Sequence, residues 1–350
     1  MDVHMSELLQ ATIDEGGSDL HIRAYMPPEL RVHGELCPLS DEALTEEDAY
    51  NLVREISTDE QMEEVEKNGG ADFALAHPDG TRFRVSVFKE RKRYGAVLRQ
   101  IPSTLLTLEQ IGIPPTVKEL LFKPRGLILV TGPTGSGKST TLASMLNVIN
   151  HERSVHIITI EDPIEFSHTS AKSLVTQREV GDDVPSFAEA IRRALRQDPD
   201  VILVGEIREL ETIRTAITAA ETGHLLLSSL HTIGAAKTND RIIDAFPAEQ
   251  QTQIRVQISM VLKAVVSQRL IPTTDNDRIA VFEVMTVTPA IQNMIRDGRT
   301  HQIDNVIYGG TDKDMMSMDA ELIRLVKSGR ITRDTAILYA TNPETIAKRI

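Results

Sequence analysis

The sequence has very few of the residues that disulfide-stapled or zinc-stapled proteins depend on. Its 350 residues include a single cysteine, Cys37, and no tryptophan. One cysteine can form neither an internal disulfide nor a zinc site built from two Cys-x-x-Cys pairs, so we expect a reducing, cytoplasmic environment. Residues 1–17 lack the basic start and apolar centre of a signal peptide, which predicts no export.

Long apolar runs are also missing. The longest, such as 127–130 and 225–227, fall far short of the roughly 20 residues that span a bilayer. We therefore expect any membrane association to go through a protein partner. The 38 basic and 51 acidic residues give a net charge of −13, which opposes binding to a phosphate backbone, so no nucleic acid partner is expected.

The length and the element pattern predict two domains. Residues 1–100 alternate between strand and helix patterns and end in a hairpin over 81–99, which predicts a small α+β domain. Residues 101–115 form the predicted linker, where Pro102 is the first of several breaks in regular structure. Residues 116–350 form the predicted second domain.

Short apolar runs separated by helical segments fill the second domain, which is typical of a parallel sheet with helices on both faces. The predicted strands are 126–130, 155–160, 201–204 and 224–230. Ligands of open α/β sheets bind beyond the carboxyl ends of the strands. We therefore expect the residues that follow these four runs to form one polar site.

The first of these strands leads into GPTGSGKS, which matches the phosphate-binding pattern GxxxxGK[ST] in full and is followed by a helical segment. Its glycines let backbone N–H groups turn toward phosphates, and the helix N-terminus adds a positive dipole end. Lys138 would neutralise the β and γ phosphates, and Ser139 would ligate Mg²⁺. The predicted ligands of ATP and Mg²⁺ are Gly132, Pro133, Thr134, Gly135, Ser136, Gly137, Lys138, Ser139 and Thr140.

Hydrolysis needs one carboxylate to order the attacking water and another to support the metal. Glu206 follows a buried strand and is the predicted metal-supporting acid; Glu161 follows a second strand and is the predicted general base. Glu165, close by, is equally well explained as a turn residue, and which carboxylate activates water stays open. His231 follows the last strand and is expected to face the γ-phosphate, whereas His224, before that strand, is more simply structural.

Together these segments resemble the type II/IV secretion ATPase family, over nearly the whole chain from residue 18. The phosphate loop, TIEDPIEF, DPDVILVGEIRELETI and TGHLLLSSLHT are similar to its Walker A, Asp-box, Walker B and His-box motifs. The resemblance implies a RecA-like ATPase core preceded by a smaller, PAS-like α+β domain. RIIDAFP and AIQNMIRDGRTHQI are most similar to segments of the pilus retraction ATPases, and the zinc module usual in assembly ATPases is missing.

That resemblance implies a homohexameric motor whose ATP hydrolysis drives type IV pilus retraction and twitching motility. The implied partners are an inner-membrane platform protein and an accessory paralogue of the PilU kind, and the implied location is cytoplasmic and peripheral to the inner membrane. Arg82 and Arg84, on one face of a predicted strand, would act as arginines that sense the phosphates; a solvated cationic face explains them as well. The alternatives are an accessory retraction paralogue, a type II secretion ATPase, a nucleic-acid translocase and a scaffold that binds ATP without hydrolysing it.

Overall fold

The computed structural model describes residues 3–32, 35–101, 105–275, 277–309 and 315–350. Two compact units make up the chain. The first comprises Met1–Thr104 with Glu165–Ser167, and the second comprises Leu105–Ile164 with His168–Ile350. Pro102, part of the predicted linker, lies outside the described residues.

The first unit is built on an antiparallel sheet with the strand order β3-β2-β1-β6-β5-β4. Its strands are β1 (Asp19–Arg23), β2 (Glu29–Val32), β3 (Glu35–Pro38), β4 (Gly70–Ala76), β5 (Arg82–Glu90) and β6 (Arg93–Ile101), and its helices are α1 (Met5–Asp14), α2 (Glu46–Ile56) and α3 (Asp59–Asn68). Apolar side chains from every strand except β3 and from all three helices form one core cluster. This is an α+β arrangement, with helices packed on a sheet.

The hairpin predicted over 81–99 is confirmed as β5 and β6. Its turn residues Arg91 and Lys92 have φ angles of 51° and 69°, the left-handed pair that tight hairpin turns require. Along β5, Phe83 and Val85 are fully buried. The period of two therefore places the neighbouring arginines on the other face of the sheet.

The second unit contains a seven-stranded sheet with the order β13-β12-β7-β11-β10-β8-β9. Its strands are β7 (Gly126–Thr131), β8 (His156–Glu161), β9 (Leu174–Glu179), β10 (Val201–Val204), β11 (Leu225–Leu230), β12 (Leu262–Pro272) and β13 (Arg278–Thr286). The four predicted strands are confirmed to within one residue at each end. The parallel prediction holds from β7 to β12, but β13 returns antiparallel to β12. Sequence patterns missed β9, β12 and β13, and β12 in particular follows a helix with no turn signal between them.

Helices cover both faces of this sheet. They are α4 (Leu108–Ile111), α5 (Pro115–Leu120), α6 (Lys138–Glu152), α7 (Phe187–Ala194), α8 (Leu210–Glu221), α9 (Ala235–Asp244), α10 (Ala248–Val261), α11 (Pro289–Arg296), α12 (Ile303–Gly309), α13 (Met318–Lys327), α14 (Arg333–Tyr339) and α15 (Pro343–Ala347), with a 3₁₀ turn at Thr300–Gln302. Leu127 and Leu129 belong to one core cluster and Ile128 and Val130 to another, so alternate residues of β7 meet different helical layers. The predicted α/β class is therefore confirmed.

Helix α11 covers the first part of the segment AIQNMIRDGRTHQI. Ile291 and Ile295 are fully buried, and Met294 packs against the same cluster. This face of the helix is accounted for by packing. Within the part of the chain that the structure describes, no helix is both long and apolar enough to cross a membrane.

Candidate active site

The carboxyl ends of β7, β11, β10 and β8 lie side by side, as the strand-end argument predicts. Main-chain hydrogen bonds just beyond the strands join them: Gly132 N to Leu230 O at 3.2 Å, Ile207 N to Ser229 O at 3.1 Å, and Gly205 N to Ile160 O at 2.8 Å. The segments that contain the phosphate loop, Glu161, Glu206 and His231 are thus brought to one edge of the sheet.

The phosphate loop has a backbone shape that strongly favours glycine at three positions. Gly132, Gly135 and Gly137 have φ angles of 148°, 77° and 86°, which side-chain-bearing residues rarely adopt. A Cβ atom at Gly132 would lie 2.2 Å from the main-chain oxygen of Gln268 and 2.7 Å from Ser136 Oγ. The loop is therefore closely packed from below, and it fits a nucleotide's phosphates through its backbone rather than through bulky side chains.

Lys138 begins α6 and is largely buried. Its Nζ donates to the carbonyl oxygens of Gly132 and Pro133, at 3.0 Å each, so the amine lies over the loop. Ser136 is buried, and its Oγ has no hydrogen-bond partner among the described residues. Helix N–H groups, an ammonium group and an unsatisfied hydroxyl form a donor-rich cradle that suits a polyanion.

The His231 ring connects the phosphate loop with Glu206. Its Nδ1 lies 3.4 Å from Thr134 Oγ1, and its Nε2 lies 3.3 Å from Glu206 Oε2. The guanidinium of Arg208 approaches both partners, at 2.8 Å from the Glu206 carboxylate and 3.2 Å from His231 Nε2. Three of these side chains, predicted separately from the sequence, therefore form a single contact network.

Glu161 is held by two donors at the end of β8. Its Oε1 accepts from Thr159 Oγ1 at 2.7 Å and from Gln177 Nε2 at 3.2 Å. Gln177 is itself held, because its Oε1 accepts from the main-chain N–H of His168 at 2.7 Å. These bonds restrict the carboxylate's orientation, while Glu165 is exposed.

Among the described residues, no group of three or more histidine, cysteine, aspartate or glutamate side chains is placed to hold a metal alone. A Mg²⁺ ion would have to take most of its ligands from nucleotide phosphates and water, which is its usual habit. Ser139, in the first turn of α6, and Glu206 are the protein groups that could complete such a shell.

The remaining sequence candidates are His224, in the second unit, and Arg82 and Arg84, in the first. His224 precedes β11, at the strand end opposite the phosphate loop, and its Nδ1 lies 3.0 Å from Ala219 O. Arg82 is half-buried and Arg84 is exposed on β5, where Arg84 pairs in register with Arg99. Arg99 donates to Asp19 at 2.7 Å. A role for Arg82 or Arg84 at the phosphates stays a prediction.

The sequence profile of the family described as "Type II/IV secretion system protein" matches residues 2–278. The chain belongs to this family. As a secretion ATPase, it has the predicted phosphate-loop core, and its classification as a nucleotide-binding, ATP-hydrolysing enzyme is confirmed by relatives that are named ATPases.

Several full-length relatives of this secretion ATPase are known. It is 47% identical to the type IV pilus retraction ATPase PilT of Pseudomonas aeruginosa, over 98% of this chain and 99% of that protein. It is 40% identical to the type IV pilus ATPase PilU of the same organism, over 97% of this chain and 89% of PilU. A crystal structure of the pilus retraction motor PilT with bound ADP superposes with a TM-score of 0.92 at 42% identity, covering 98% of this chain and 99% of that one.

Two polar residues of this secretion ATPase escaped the sequence analysis. Arg208 stands two positions after Glu206. A second charged residue in the same loop after the strand could have indicated it. Gln268 lies in β12 and is almost fully buried beneath the phosphate loop. The signal there was a short polar stretch, Ser267 to Arg269, between the apolar stretches 264–266 and 270–271.

Proposed function

We propose that the protein is a homohexameric motor that couples ATP hydrolysis to type IV pilus retraction. The observation that supports this most directly is the similarity to a pilus retraction ATPase across almost the full length of both chains. The site geometry agrees with such a function, because a complete phosphate loop, two carboxylates and a histidine meet at one sheet edge.

The residues at this edge divide the work of hydrolysis. Backbone N–H groups of Gly132 and of residues 134–140 hold the phosphates, and the Lys138 ammonium neutralises part of their charge. Mg²⁺, when bound, supplies electrostatic stabilisation of the transferred phosphoryl group. Ser139 and Glu206 are the proposed protein ligands of that ion.

Glu161 and His231 have distinct proposed roles. Glu161, oriented by Thr159 and Gln177, positions the attacking water and accepts its proton. His231 touches the phosphate loop through Thr134 and the metal-supporting acid through its other ring nitrogen. We therefore propose that His231 couples the presence of nucleotide in the loop to the position of Glu206. Arg208 neutralises Glu206 in the arrangement seen here.

Assembly and location complete the proposal. Six copies form a ring in the cytoplasm, docked on an inner-membrane platform protein, and an accessory paralogue such as PilU joins them. Arg82 and Arg84 act as the arginines that sense the phosphates within this ring. The net charge of −13 favours a protein partner over nucleic acid.

A deletion in a piliated host tests the proposal. The deletion strain is complemented with wild type, Lys138→Ala or the matched Lys172→Ala, whose exposed lysine contacts a helix end through Glu152 O. Wild type and Lys172→Ala should restore twitching, while Lys138→Ala should leave cells hyperpiliated and immobile. A deletion strain that retracts its pili normally would contradict the retraction function.

A second candidate is an accessory retraction ATPase, supported by the 40% identity to PilU. The two functions separate in a host that lacks both retraction ATPases. A primary motor restores twitching alone, whereas an accessory subunit restores it only together with the other ATPase. DNA-stimulated phosphate release by the purified protein would instead indicate a translocase.

A further inference from the structure

Strand β12 lies next to β7 in the sheet, so it passes directly beside the phosphate loop. The register pairs Ser267 with Thr131, the last residue of β7. Gln268 is therefore the first β12 residue beyond the paired segment, and it lies beside Gly132. Only 2% of its surface is exposed, which is unusual for a glutamine unless its amide is used.

Gln268 contacts the phosphate loop at its beginning. Its main-chain oxygen lies only 2.2 Å from the position that a Cβ atom of Gly132 would take. No side chain fits at residue 132 while this strand stays in place. The close approach of two backbones fixes the direction in which the chain leaves β7.

Gln268 also contacts the end of the loop. Its Nε2 lies 3.0 Å from the position that a Cβ atom of Gly137 would take. Its Oε1 accepts a 2.7 Å hydrogen bond from Thr141 Oγ1, in the first turn of α6. Thr141 is fully buried, so this bond is shielded from water and loss of either partner leaves the other unsatisfied.

Position on the strand explains how one side chain reaches these points. Ala264 and Val266 pack in the same core cluster as Leu142 and Met145 of α6, and the period of two places Gln268 on that face as well. Ser267 points to the opposite face, where its Oγ accepts from Gly234 N at 3.1 Å. The amide is thus directed at α6 and its loop.

We propose that Gln268 is a positioning residue that holds both ends of the phosphate loop in the shape that binds nucleotide. It acts through Thr141 and the loop backbone rather than on the phosphates. The inference rests on nucleotide binding at this loop, one part of the proposed function, and is independent of pilus retraction.

The test compares ADP binding by wild type, Gln268→Met, Thr141→Val and the double variant, using a fluorescent ADP analogue with and without Mg²⁺. Methionine keeps the volume and removes the amide. If only about a tenth of the variant molecules keep the binding shape, the Kd rises about tenfold. The KM for ATP should rise in parallel while kcat at saturating ATP stays within about twofold, the pattern of lost uniform binding.

Gln257→Met is the matched control, because it removes a partly buried hydrogen bond from a glutamine amide to Glu221 in α8, away from the loop. Melting temperatures of the nucleotide-free proteins show whether each variant is folded. The double variant should bind ADP no more weakly than the weaker single variant, since both substitutions break one bond.

Three results would overturn the inference. One is a Gln268→Met Kd equal to that of Gln257→Met; another is a double variant whose loss is the product of the single losses. If Gln268→Met does not fold, Thr141→Val decides alone, and wild-type affinity there is the third. Wild type that fails to bind ADP would instead contradict the proposed function itself.

Discussion

His231 Nε2 lies 3.3 Å from Glu206 Oε2, although the two residues end different strands and stand 25 positions apart in the chain. The same carboxylate oxygen accepts from Arg208 at 2.8 Å. Glu206 is therefore contacted by both side chains at the point where β10 and β11 end. This contact network leads to the first prediction.

Glu206→Gln should lower kcat by about 100-fold or more. Removal of a group that stabilises charge or transfers a proton in the transition state typically lowers the rate on that scale. ADP binding should change little, because the phosphates are held by the loop. ATPase assays and ADP binding measure both effects. The exposed Glu209→Gln, three residues along, is the control and should keep wild-type turnover. Full activity of Glu206→Gln would remove Glu206 from the mechanism.

Lys138→Ala should weaken nucleotide binding by about 10² to 10⁴, because it removes two charge-assisted bonds to phosphate oxygens at about 1.5–3 kcal/mol each. The melting temperature should fall less than for a core substitution, since the Lys138 ammonium donates to two carbonyl oxygens of its own loop. Calorimetric titration with ADP is the measurement. Lys172→Ala should bind as wild type does, and comparable losses in both variants would point to general destabilisation.

Gly132→Ala should be more destabilising than Gly135→Ala, although both positions have positive φ. The added methyl at residue 132 meets the Gln268 carbonyl, whereas at residue 135 it meets nothing within 4 Å. We expect about 2–4 kcal/mol at residue 132, the sum of strain and overpacking, and about 1 kcal/mol at residue 135 from backbone strain alone. Chemical denaturation gives the two values, and equal losses would mean that β12 moves aside.

Glu283 predicts a pH dependence of stability. Its carboxylate is buried on β13 and accepts from Ala235 N at 2.8 Å, and burial raises its pKa above the ordinary value of 4.5. The carboxyl thus has an ordinary pKa in the unfolded chain and a higher one in the folded protein. At a pH between these two values the folded protein binds more protons than the unfolded chain, so the free energy of unfolding falls as pH rises through that window.

Glu283→Gln, which carries no charge, should not show this loss. The difference in melting temperature between wild type and Glu283→Gln, followed from acid to neutral pH, measures it. The exposed Glu249→Gln is the control and should follow wild type. A difference that grows in the opposite direction would mean that the ionised carboxylate is favoured by its hydrogen bonds.

Arg82→Ala and Arg84→Ala should lower turnover by about 10³ to 10⁵ if these arginines stabilise the transferred phosphate, with little change in melting temperature. An exposed arginine in a surface ion pair contributes about 0–1 kcal/mol to stability and nothing to catalysis. ATPase assays on the assembled ring distinguish these cases. Arg91→Ala, at the hairpin turn, is the control. Normal turnover in both variants would mean that Arg82 and Arg84 are part of a solvated cationic face and have no catalytic role.

Much of the second unit could be predicted because its evidence is local. The apolar runs at β7 and β10 are buried on both faces, and a continuous apolar run indicates that directly. β12 could not be found in this way, because it continues from α10 without a turn and contains Ser267 and Gln268 in its middle. Ser267 and Gln268 form hydrogen bonds with Gly234 and Thr141, and strand propensity alone cannot predict such contacts.

The sequence by itself determined the loop that we propose binds nucleotide, since its glycines, lysine and hydroxyl residues are contiguous and their backbone requirements can be read position by position. It also determined that Glu161, Glu206 and His231 stand at or just beyond the ends of strands. Tertiary structure alone decided their partners: His231 meets Thr134, and Gln268 meets Thr141 across 127 positions. Those contacts depend on strand order and register, which arise from packing of the whole sheet and have no signature in any short segment.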